Sequence, residues 1–334
     1  MEKLKKSMPV LAILLVAVIF IVSFFSSLTT DSEASGFVMG SPVDVKIYSE
    51  KDGDTLCYYV LEKIKLVDTV YLSHTNSTSA VYKLNNGETV EDKWFAEYLD
   101  DCIELSRKSE KFTLFSGEFK DLWKIENGGY VPTSNELAKV LEKHKNANLY
   151  FEDYLFCVNN GKLDLGALGK GTACDEAIEY LKNQKVEKAL ITVGGSIGMI
   201  GSKPYSIGVR NPFGNQNEYF GVLNITDCFV STSGDYEKYF EKDGVRYSHI
   251  FDATTGSPVQ NDLSSVTVVA DNGMLSDFLS TVVYLEGIEN GMKIAEDFDA
   301  EVIIVKKDKT VLISAGLQDK FTLKDESFSV SVIE

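Results

Sequence analysis

Hydrophobic residues form one long run near the start of the chain and short periodic patterns everywhere after it. Apolar residues dominate the stretch from Pro9 to Phe25, and Lys3, Lys5 and Lys6 precede it. A positive charge ahead of a hydrophobic segment is typical of an export signal. The run is long for a cleaved signal and short for a membrane span. Both a cleaved signal peptide and a retained membrane anchor therefore fit the pattern.

The segment Ser32-Glu33-Ala34 resembles a small-x-small cleavage site and sets the boundary that we predict. Residues 1–34 are expected to be the signal or anchor, and residues 35–334 the working domain. Either fate of the segment leaves that domain outside the cytoplasm, secreted or attached to the membrane.

Periodicity predicts strands and helices in the first half of the domain. Alternating apolar positions in Val43–Tyr48 indicate a strand, and helical spacing extends over Asp54–Leu72 and Val90–Lys108. Shorter helical patterns cover Ala80–Leu84 and Glu136–Lys143.

The second half alternates strands and helices. Tyr154–Val158 and Lys162–Leu165 are predicted to pair around the turn Asn159-Asn160-Gly161, and a glycine-rich turn over 166–171 to open a helix from Thr172 to Asn183. The remaining segments are strands at Ala189–Val193, Tyr205–Arg210, Phe220–Ile225, Cys228–Ser231, Val245–Phe251 and Val266–Ala270, helices at Gly273–Glu286 and Ile288–Asp297, and a hairpin over Val302–Ile313. This order predicts one α+β domain of antiparallel or mixed sheets flanked by helices.

Composition narrows the classes of function. A hydrophobic content of 44 % supports a sizeable core, and a net charge of −17 argues against a nucleic-acid partner, which needs a basic patch. The 5 cysteines show no C-x-x-C spacing, which excludes a zinc knuckle or a redox dithiol motif.

Asp277 and Thr281 stand four residues apart on a predicted helix, so their side chains share one face. A carboxylate and a hydroxyl that converge at a helix start suit a hard cation such as Mg²⁺. An acid placed for the helix dipole, followed by a threonine that bonds back to the helix, explains the same spacing.

The glycine-rich segment Gly166–Thr172 differs from a phosphate-binding P-loop. Asp164 stands where the first glycine should be, and Gly171 follows Lys170 in place of Ser or Thr. A helix that starts at this loop still offers an anion site, and a plain strand-to-helix turn is the alternative.

Ser196 and His249 raise the possibility of a serine hydrolase. The segment Gly194-Gly195-Ser196-Ile197-Gly198 matches the G-x-S-x-G elbow, but the residues after it are predicted as turn and strand where the elbow requires a helix. His249 ends a predicted strand, where it could act as a general base or as a structural residue.

Read together, these stretches resemble one family, and the similarity extends in order over nearly the whole domain. The matching segments are Phe37–Ser41, Ser73–Ser79 with Leu84-Asn85, Asp164–Gly171 with Asp175, Val193–Ile197, Ser231–Tyr236, His249–Val259 and Val266–Thr281. They are similar to the motifs of the ApbE family, the FAD:protein FMN transferases. The resemblance implies an ApbE-like α+β domain that binds FAD with Mg²⁺ and transfers FMN to a Thr or Ser hydroxyl of a partner flavoprotein, releasing AMP. The acceptor would carry an FMN-binding domain.

The resemblance also implies roles for individual residues. Asp277 and Thr281 would be metal ligands, completed by the backbone carbonyl of Ala167. His249 would be the catalytic base. The FAD site would include Met39, Thr75, Phe112, Asp164, Lys170 and Phe251.

Three segments depart from the family pattern. Thr75 occupies a position where the family usually has a flavin-contacting aromatic residue, the segment Lys111–Glu118 lacks the Asp, Thr and Pro of the family motif, and Ala253 replaces a proline. Two other functions therefore stay open, a pyrophosphatase that hydrolyses FAD to FMN and AMP and an FAD-binding protein with little transferase activity.

Overall fold

The computed structural model describes residues 30–152 and 154–333. Its strands are β1 (Thr30–Val38), β2 (Ser41–Glu50), β3 (Val90–Glu91), β4 (Asn148–Glu152), β5 (Leu155–Asn159), β6 (Ala189–Val193), β7 (Ser196–Ile200), β8 (Tyr205–Arg210), β9 (Tyr219–Ile225), β10 (Phe229–Gly234), β11 (Tyr239–Lys242), β12 (Val245–Ser248), β13 (Phe251–Asp252), β14 (Ser257–Pro258), β15 (Leu263–Ala270), β16 (Glu301–Lys306), β17 (Thr310–Ser314), β18 (Phe321–Leu323) and β19 (Ser329–Ile333).

The α-helices are α1 (Gly53–Leu66), α2 (Ala80–Asn85), α3 (Lys93–Ser106), α4 (Gly117–Trp123), α5 (Ser134–Lys145), α6 (Gly166–Asn183), α7 (Gly273–Glu286) and α8 (Ile288–Glu296). Helix α1 continues into a π-helical segment, Val67–Leu72, and a 3₁₀ turn covers Ala315–Leu317.

A nine-stranded sheet forms the centre of the fold, in the order β1-β2-β6-β7-β10-β15-β16-β17-β19. Neighbouring strands are antiparallel except β17 and β19, which are parallel. Smaller sheets, β18-β9-β8 and β3-β5-β4, pack beside it. The predicted α+β architecture with mixed sheets and flanking helices is confirmed.

Both faces of the large sheet are covered near its middle. Every residue from Val302 to Val305 in β16 is buried, with Val302 and Ile304 in the core beneath the helices and Ile303 and Val305 in the core beneath β8 and β9. A strand covered on both sides is expected to be continuously apolar. Near the edge, β2 alternates instead between buried and exposed positions.

The predicted hairpin around Asn159-Asn160-Gly161 is wrong. β5 pairs with β4 before it and with β3, while the chain after residue 160 leaves the sheet. Leu163 donates its N–H to the Asn85 side chain at 2.7 Å, and Asp164 donates to the Leu114 carbonyl at 2.8 Å. Those partners take the backbone hydrogen bonds that a second strand would have used.

The predicted glycine turn before Thr172 is also wrong, because helix α6 already begins at Gly166. The glycines serve close packing there. A Cβ on Gly169 would lie 2.8 Å from the Leu72 side chain, and one on Gly171 would lie 1.9 Å from the carbonyl oxygen of Gly273. Tertiary contact outweighs the low helix propensity of glycine.

Of the predicted signal or anchor, residues 1–34, the part up to residue 29 lies outside the described residues, including the apolar run Pro9–Phe25. Within the described residues, the helices include none long and apolar enough to span a membrane. Strand β1 starts at Thr30, ahead of the predicted domain boundary, and Ala34 pairs with Val45.

Gly171→Ala is expected to lower the free energy of unfolding by about 2 kcal/mol or more, because the added methyl group overlaps the backbone of Gly273. Gly36→Ala is the control, since its methyl group would lie 3.6 Å from Leu61, an ordinary contact. The control should change stability by no more than about 0.5 kcal/mol. Urea unfolding of both variants checks this, and equal losses would mean that the helix contact is not tight.

Candidate functional site

Helices α6 and α7 touch through their backbones at Gly171 and Gly273. A Cβ on Gly273 would lie 2.4 Å from the Gly171 carbonyl oxygen, so neither position has room for a side chain. Because the backbones approach this closely, side chains of the adjoining turns meet as well. The contact brings Lys170 and Gly171 of α6 next to Asp277 of α7.

Asp277 is the acid at the centre of this contact, and it is only 3 % exposed. Its Oδ2 accepts a hydrogen bond from the Gly171 amide at 3.0 Å, and its Oδ1 lies 4.0 Å from the Lys170 Nζ. The carboxylate raises the pKa of Lys170 above its ordinary value. A buried charge of this kind needs such partners.

The hydrogen bond of the Gly171 amide also affects the Ala167 carbonyl. In a regular α-helix the N–H of Gly171 would donate to the carbonyl of Ala167, four residues earlier. Here that N–H donates to Asp277. Ala167 is half-buried in the first turn of α6. Its carbonyl therefore does not have the Gly171 N–H to itself.

Thr281 lies one turn after Asp277, as predicted. Its hydroxyl is 3.1 Å from the Ser233 hydroxyl on β10 and 3.4 Å from the Asp277 carbonyl. Ser233 also bonds the Ser280 hydroxyl at 2.8 Å, and Ser231 bonds Ser276 at the same distance. This row of hydroxyls attaches α7 to the sheet and orients the Thr281 side chain.

Asp164 precedes α6 and pairs with Lys120 of α4. It accepts a hydrogen bond from the Gly166 amide at 3.0 Å. Burial alone would raise the pKa of Asp164, but Lys120, the Gly166 amide and nearby His74 outweigh it and hold the pKa below its ordinary value. The loop that carries His74 thus approaches the start of α6.

His249 follows β12 and is half-buried, and three lysines surround it. Its backbone N–H donates to the Lys238 carbonyl at 3.0 Å, and Nδ1 lies 3.3 Å from the same oxygen. A proton on Nδ1 satisfies that contact and leaves Nε2 as a lone-pair acceptor. Burial, together with the charges of Lys120, Lys170 and Lys238, lowers the pKa of His249 to about 3.

The corner between β6 and β7 lies beside Lys170. A Cβ on Gly194, which has φ +55°, would lie 2.8 Å from the Ser41 Oγ and 3.4 Å from the Lys170 Cδ. A Cβ on Gly195 would lie 3.5 Å from the Glu237 Oε1. Met39, two residues before Ser41, donates its N–H to Asp68 at 3.2 Å and has φ +53°. The β1–β2 turn therefore reaches the site.

Two aromatic residues of the predicted FAD site are buried. The ring of Phe112 meets Phe278 edge-on, with centroids 5.0 Å apart, and Phe251 packs on Phe119 at 6.0 Å. Both rings are in core clusters, whereas Thr75 is exposed and its hydroxyl is 3.2 Å from that of Ser73.

The position of Ser196 does not fit the serine-hydrolase alternative. Ser196 begins strand β7, with no helix behind it, and is 1 % exposed. A nucleophile elbow presents its serine at a turn into a helix, with the hydroxyl accessible. The G-x-S-x-G match is therefore a feature of a sheet corner.

Three residues of the site escaped prediction. Lys120 pairs with Asp164, Ser233 contacts Thr281, and Glu237 faces the Gly195 corner. Ser233 lies within the Ser231–Tyr236 segment and Glu237 follows it directly, so this motif could have pointed to both. The Lys120 contact depends on a long-range approach and left no local signal.

The oxygen donors at the helix contact suit a hard cation. In residues 30–152 and 154–333, no three His, Cys, Asp or Glu side chains gather as a metal site. A cation here would therefore depend on a single carboxylate, with hydroxyl and carbonyl oxygens beside it, which is the donor set that Mg²⁺ accepts.

Comparison with known proteins places these features in a family. The ApbE family model matches residues 39–304. A FAD:protein FMN transferase from Klebsiella pneumoniae is 31 % identical over 309 residues, covering 89 % of this chain and 96 % of that protein. One from Treponema pallidum is 28 % identical over 321 residues, covering 87 % and 89 %.

Solved structures agree. The ApbE protein of Thermotoga maritima superposes with a TM-score of 0.79 at 28 % identity, covering 87 % of this chain and 99 % of that one. The Pseudomonas stutzeri flavinyl transferase ApbE gives a TM-score of 0.74 at 25 % identity, covering 87 % and 97 %.

The imidazole of His249 is expected to stay neutral from pH 8 down to pH 5, since its pKa is lowered to about 3 by burial and by three lysines. NMR titration of ¹⁵N-histidine-labelled protein, with His249→Gln to assign the signal, checks this. A midpoint between pH 6 and 7 for that signal would contradict the burial and charge described above.

Proposed function

Because this chain belongs to the ApbE family, we propose that it transfers FMN from FAD to a Thr or Ser hydroxyl of a partner flavoprotein and releases AMP. It is an enzyme of the FAD:protein FMN transferase class. The acceptor would carry an FMN-binding domain, which presents the hydroxyl to the site.

One observation carries the proposal, namely a positive cluster built beside a buried carboxylate in a strongly acidic protein. The net charge is −17, yet Lys120, Lys170 and Lys238 converge on His249. Local positive charge with helix amides at the start of α6 suits an anionic group such as a pyrophosphate. Each of the three lysines also has a carboxylate partner, Lys120 with Asp164, Lys170 with Asp277 and Lys238 with Glu126.

Asp277, Thr281 and the Ala167 carbonyl are the residues that would hold Mg²⁺. Asp277 meets α6 at the Gly171 amide and Thr281 lies one turn further along α7, and all three residues supply the oxygen atoms that this ion prefers. When bound, the ion would neutralise charge on the pyrophosphate and stabilise the charge that develops on the transferred phosphoryl group.

The FAD site would surround this centre. Lys170, which lies beside Asp277, would bind phosphate oxygens, Asp164 would orient the first turn of α6, and Met39 would approach from the β1–β2 turn. Thr75 would face the flavin from its exposed loop.

Phe112 and Phe251, predicted as part of the FAD site, would act without touching the flavin. Phe112 supports Phe278, which follows Asp277 in α7, and Phe251 fixes the chain two residues after His249. We propose that both shape the site through packing.

His249 would take the proton in the transfer step. The acceptor hydroxyl oxygen attacks the FMN phosphorus of FAD, the bond to the bridging oxygen breaks, and AMP leaves with that oxygen. The hydroxyl proton passes to Nε2, the free imidazole nitrogen when Nδ1 faces the Lys238 carbonyl. A neutral imidazole is the form that can accept it.

We also propose that the enzyme works outside the cytoplasm, on the N-terminal pattern of lysines and apolar residues. Residues 30–34 pair with β2, so cleavage after Ala34 would remove half of a paired strand. That pairing favours a retained anchor over cleavage at this position.

Purified protein with FAD, Mg²⁺ and an acceptor domain is expected to yield an acceptor that is heavier by one FMN group, together with AMP. Mass spectrometry of the acceptor and chromatography of the nucleotides measure both products. His249→Ala should lower turnover by about 10²–10⁴-fold while FAD still binds, because it removes the proton acceptor.

Two other outcomes of this assay would replace the proposal. AMP and free FMN with an unmodified acceptor would identify an FAD pyrophosphatase, an alternative that the exposed Thr75 in place of an aromatic residue favours. FAD that binds and stays intact would identify a binding protein.

Asp277→Asn is expected to reduce metal-dependent turnover by at least about 100-fold. The amide keeps an acceptor for the Gly171 N–H but lacks the charge that a cation requires. Asp271→Asn, on the exposed loop just ahead of α7, is the matched control and should keep its activity. A magnesium titration compares the two, and unchanged turnover in Asp277→Asn would refute the metal assignment.

A further inference from the structure

Asp175 of α6 forms a second link between the two helices of the site. It lies one turn beyond Gly171, and its two carboxylate oxygens accept hydrogen bonds from the amides of Gly273 and Met274 at 2.7 and 2.8 Å. These are the first two residues of α7. A side chain of one helix therefore caps the N-terminus of the other.

The sequence of α7 supplies only part of its own N-terminal cap. Asn272 is its N-cap residue, and the Asn272 side chain accepts from the Leu275 amide at 2.8 Å. The Asn272 carbonyl accepts from the Ser276 amide at 3.0 Å. That is the first regular bond of the helix, and with the two bonds to Asp175 the amides of Gly273, Met274 and Leu275 ahead of it all have partners.

The Asp175 link and the Asp277 link run in opposite directions. Asp175 of α6 accepts from amides of α7, while Asp277 of α7 accepts from the Gly171 amide of α6. The Gly171–Gly273 contact lies between them. Sliding one helix along the other would break both links, so together they determine the axial position of α7 on α6.

The contribution of Asp175 to stability depends on pH. Burial raises the pKa of its carboxyl to about 6, despite the two amide hydrogen bonds. An acid whose pKa is higher in the folded protein than in the unfolded chain loses stability as the pH rises through that value. At neutral pH the ionised carboxylate therefore costs stability, although its hydrogen bonds still fix geometry.

We propose that Asp175 is a positioning residue for the metal site: it holds α7 in register on α6 so that Asp277 and Thr281 face the Ala167 carbonyl. This inference rests on the metal ligands assigned under the proposed function. Asp175 itself would not contact the cation. Its effect passes through the start of α7, because Asp277 and Thr281 lie one and two turns beyond that start.

Binding of Mn²⁺ to the protein without FAD tests the proposal, with the free ion measured by electron paramagnetic resonance. Asp175→Asn is expected to weaken Mn²⁺ binding by about tenfold, in line with losses of residues that orient metal ligands. The amide offers one acceptor where two amides need partners. Turnover at saturating metal should change by less than about threefold, since the ligands and His249 remain.

Asn272→Ala is the matched control, because it removes a cap of the same helix and leaves the link to α6 intact. It should lower thermal stability while Mn²⁺ affinity stays within about twofold of the wild type. Equal weakening in both variants, or unchanged affinity in Asp175→Asn, would overturn the proposal. Should Asp175→Asn not fold, Asp175→Ser carries the same measurement with one hydroxyl acceptor.

Failure of the proposed function gives a different result. Wild-type protein that binds no Mn²⁺ would remove the metal site itself, and the inference about Asp175 with it. Wild-type protein that binds Mn²⁺, alongside Asp175 variants that bind it equally well, would remove the positioning role alone.

Discussion

The site depends on how closely helices α6 and α7 approach each other. Glycine at positions 171 and 273 lets the two backbones touch, and no other residue fits at either position without displacement. The Asp277 carboxylate then accepts a hydrogen bond from the Gly171 amide of the opposite helix. The Nζ of Lys170, the residue before Gly171, lies 4.0 Å from the same carboxylate. The position of Asp277 is therefore a result of backbone packing.

The protein as a whole is acidic, but the surroundings of His249 carry positive charge. The surface is acidic, but lysines from α4, α6 and the β10–β11 connection meet at His249. Each of these lysines comes from a different part of the chain, so the cluster exists only in the folded protein. Repulsion from the remaining acidic surface makes such a cluster a selective place for an anion that arrives with a cation.

Much of the fold follows from the sequence because its elements are strongly periodic. Helix α7 has the predicted limits, and Asp277 and Thr281 lie on one of its faces, as their spacing implied. The hairpin prediction at Asn160 failed because side-chain and loop partners, among them Asn85, compete for the backbone. The start of α6 was misplaced because glycine has a low helix propensity, which close packing overrides.

Contacts between residues far apart in the chain could not be predicted from local sequence patterns. Nothing near Lys120 announces its pairing with Asp164, and nothing near Asp175 announces that it caps a helix about 100 residues away. The motif order pointed to the correct regions of the chain, but the contacts between them require the tertiary structure.

The strand order of the large sheet has a consequence for how the protein matures. The β1–β2 turn that carries Met39 is beside the β6–β7 corner, and the helix with Thr281 packs on β10, so the site draws on segments from residue 39 to residue 281. A partly synthesised chain that ends before Thr281 therefore lacks part of the site. If the site binds FAD as proposed, it can do so only after these distant segments have met, so folding has to precede nucleotide binding.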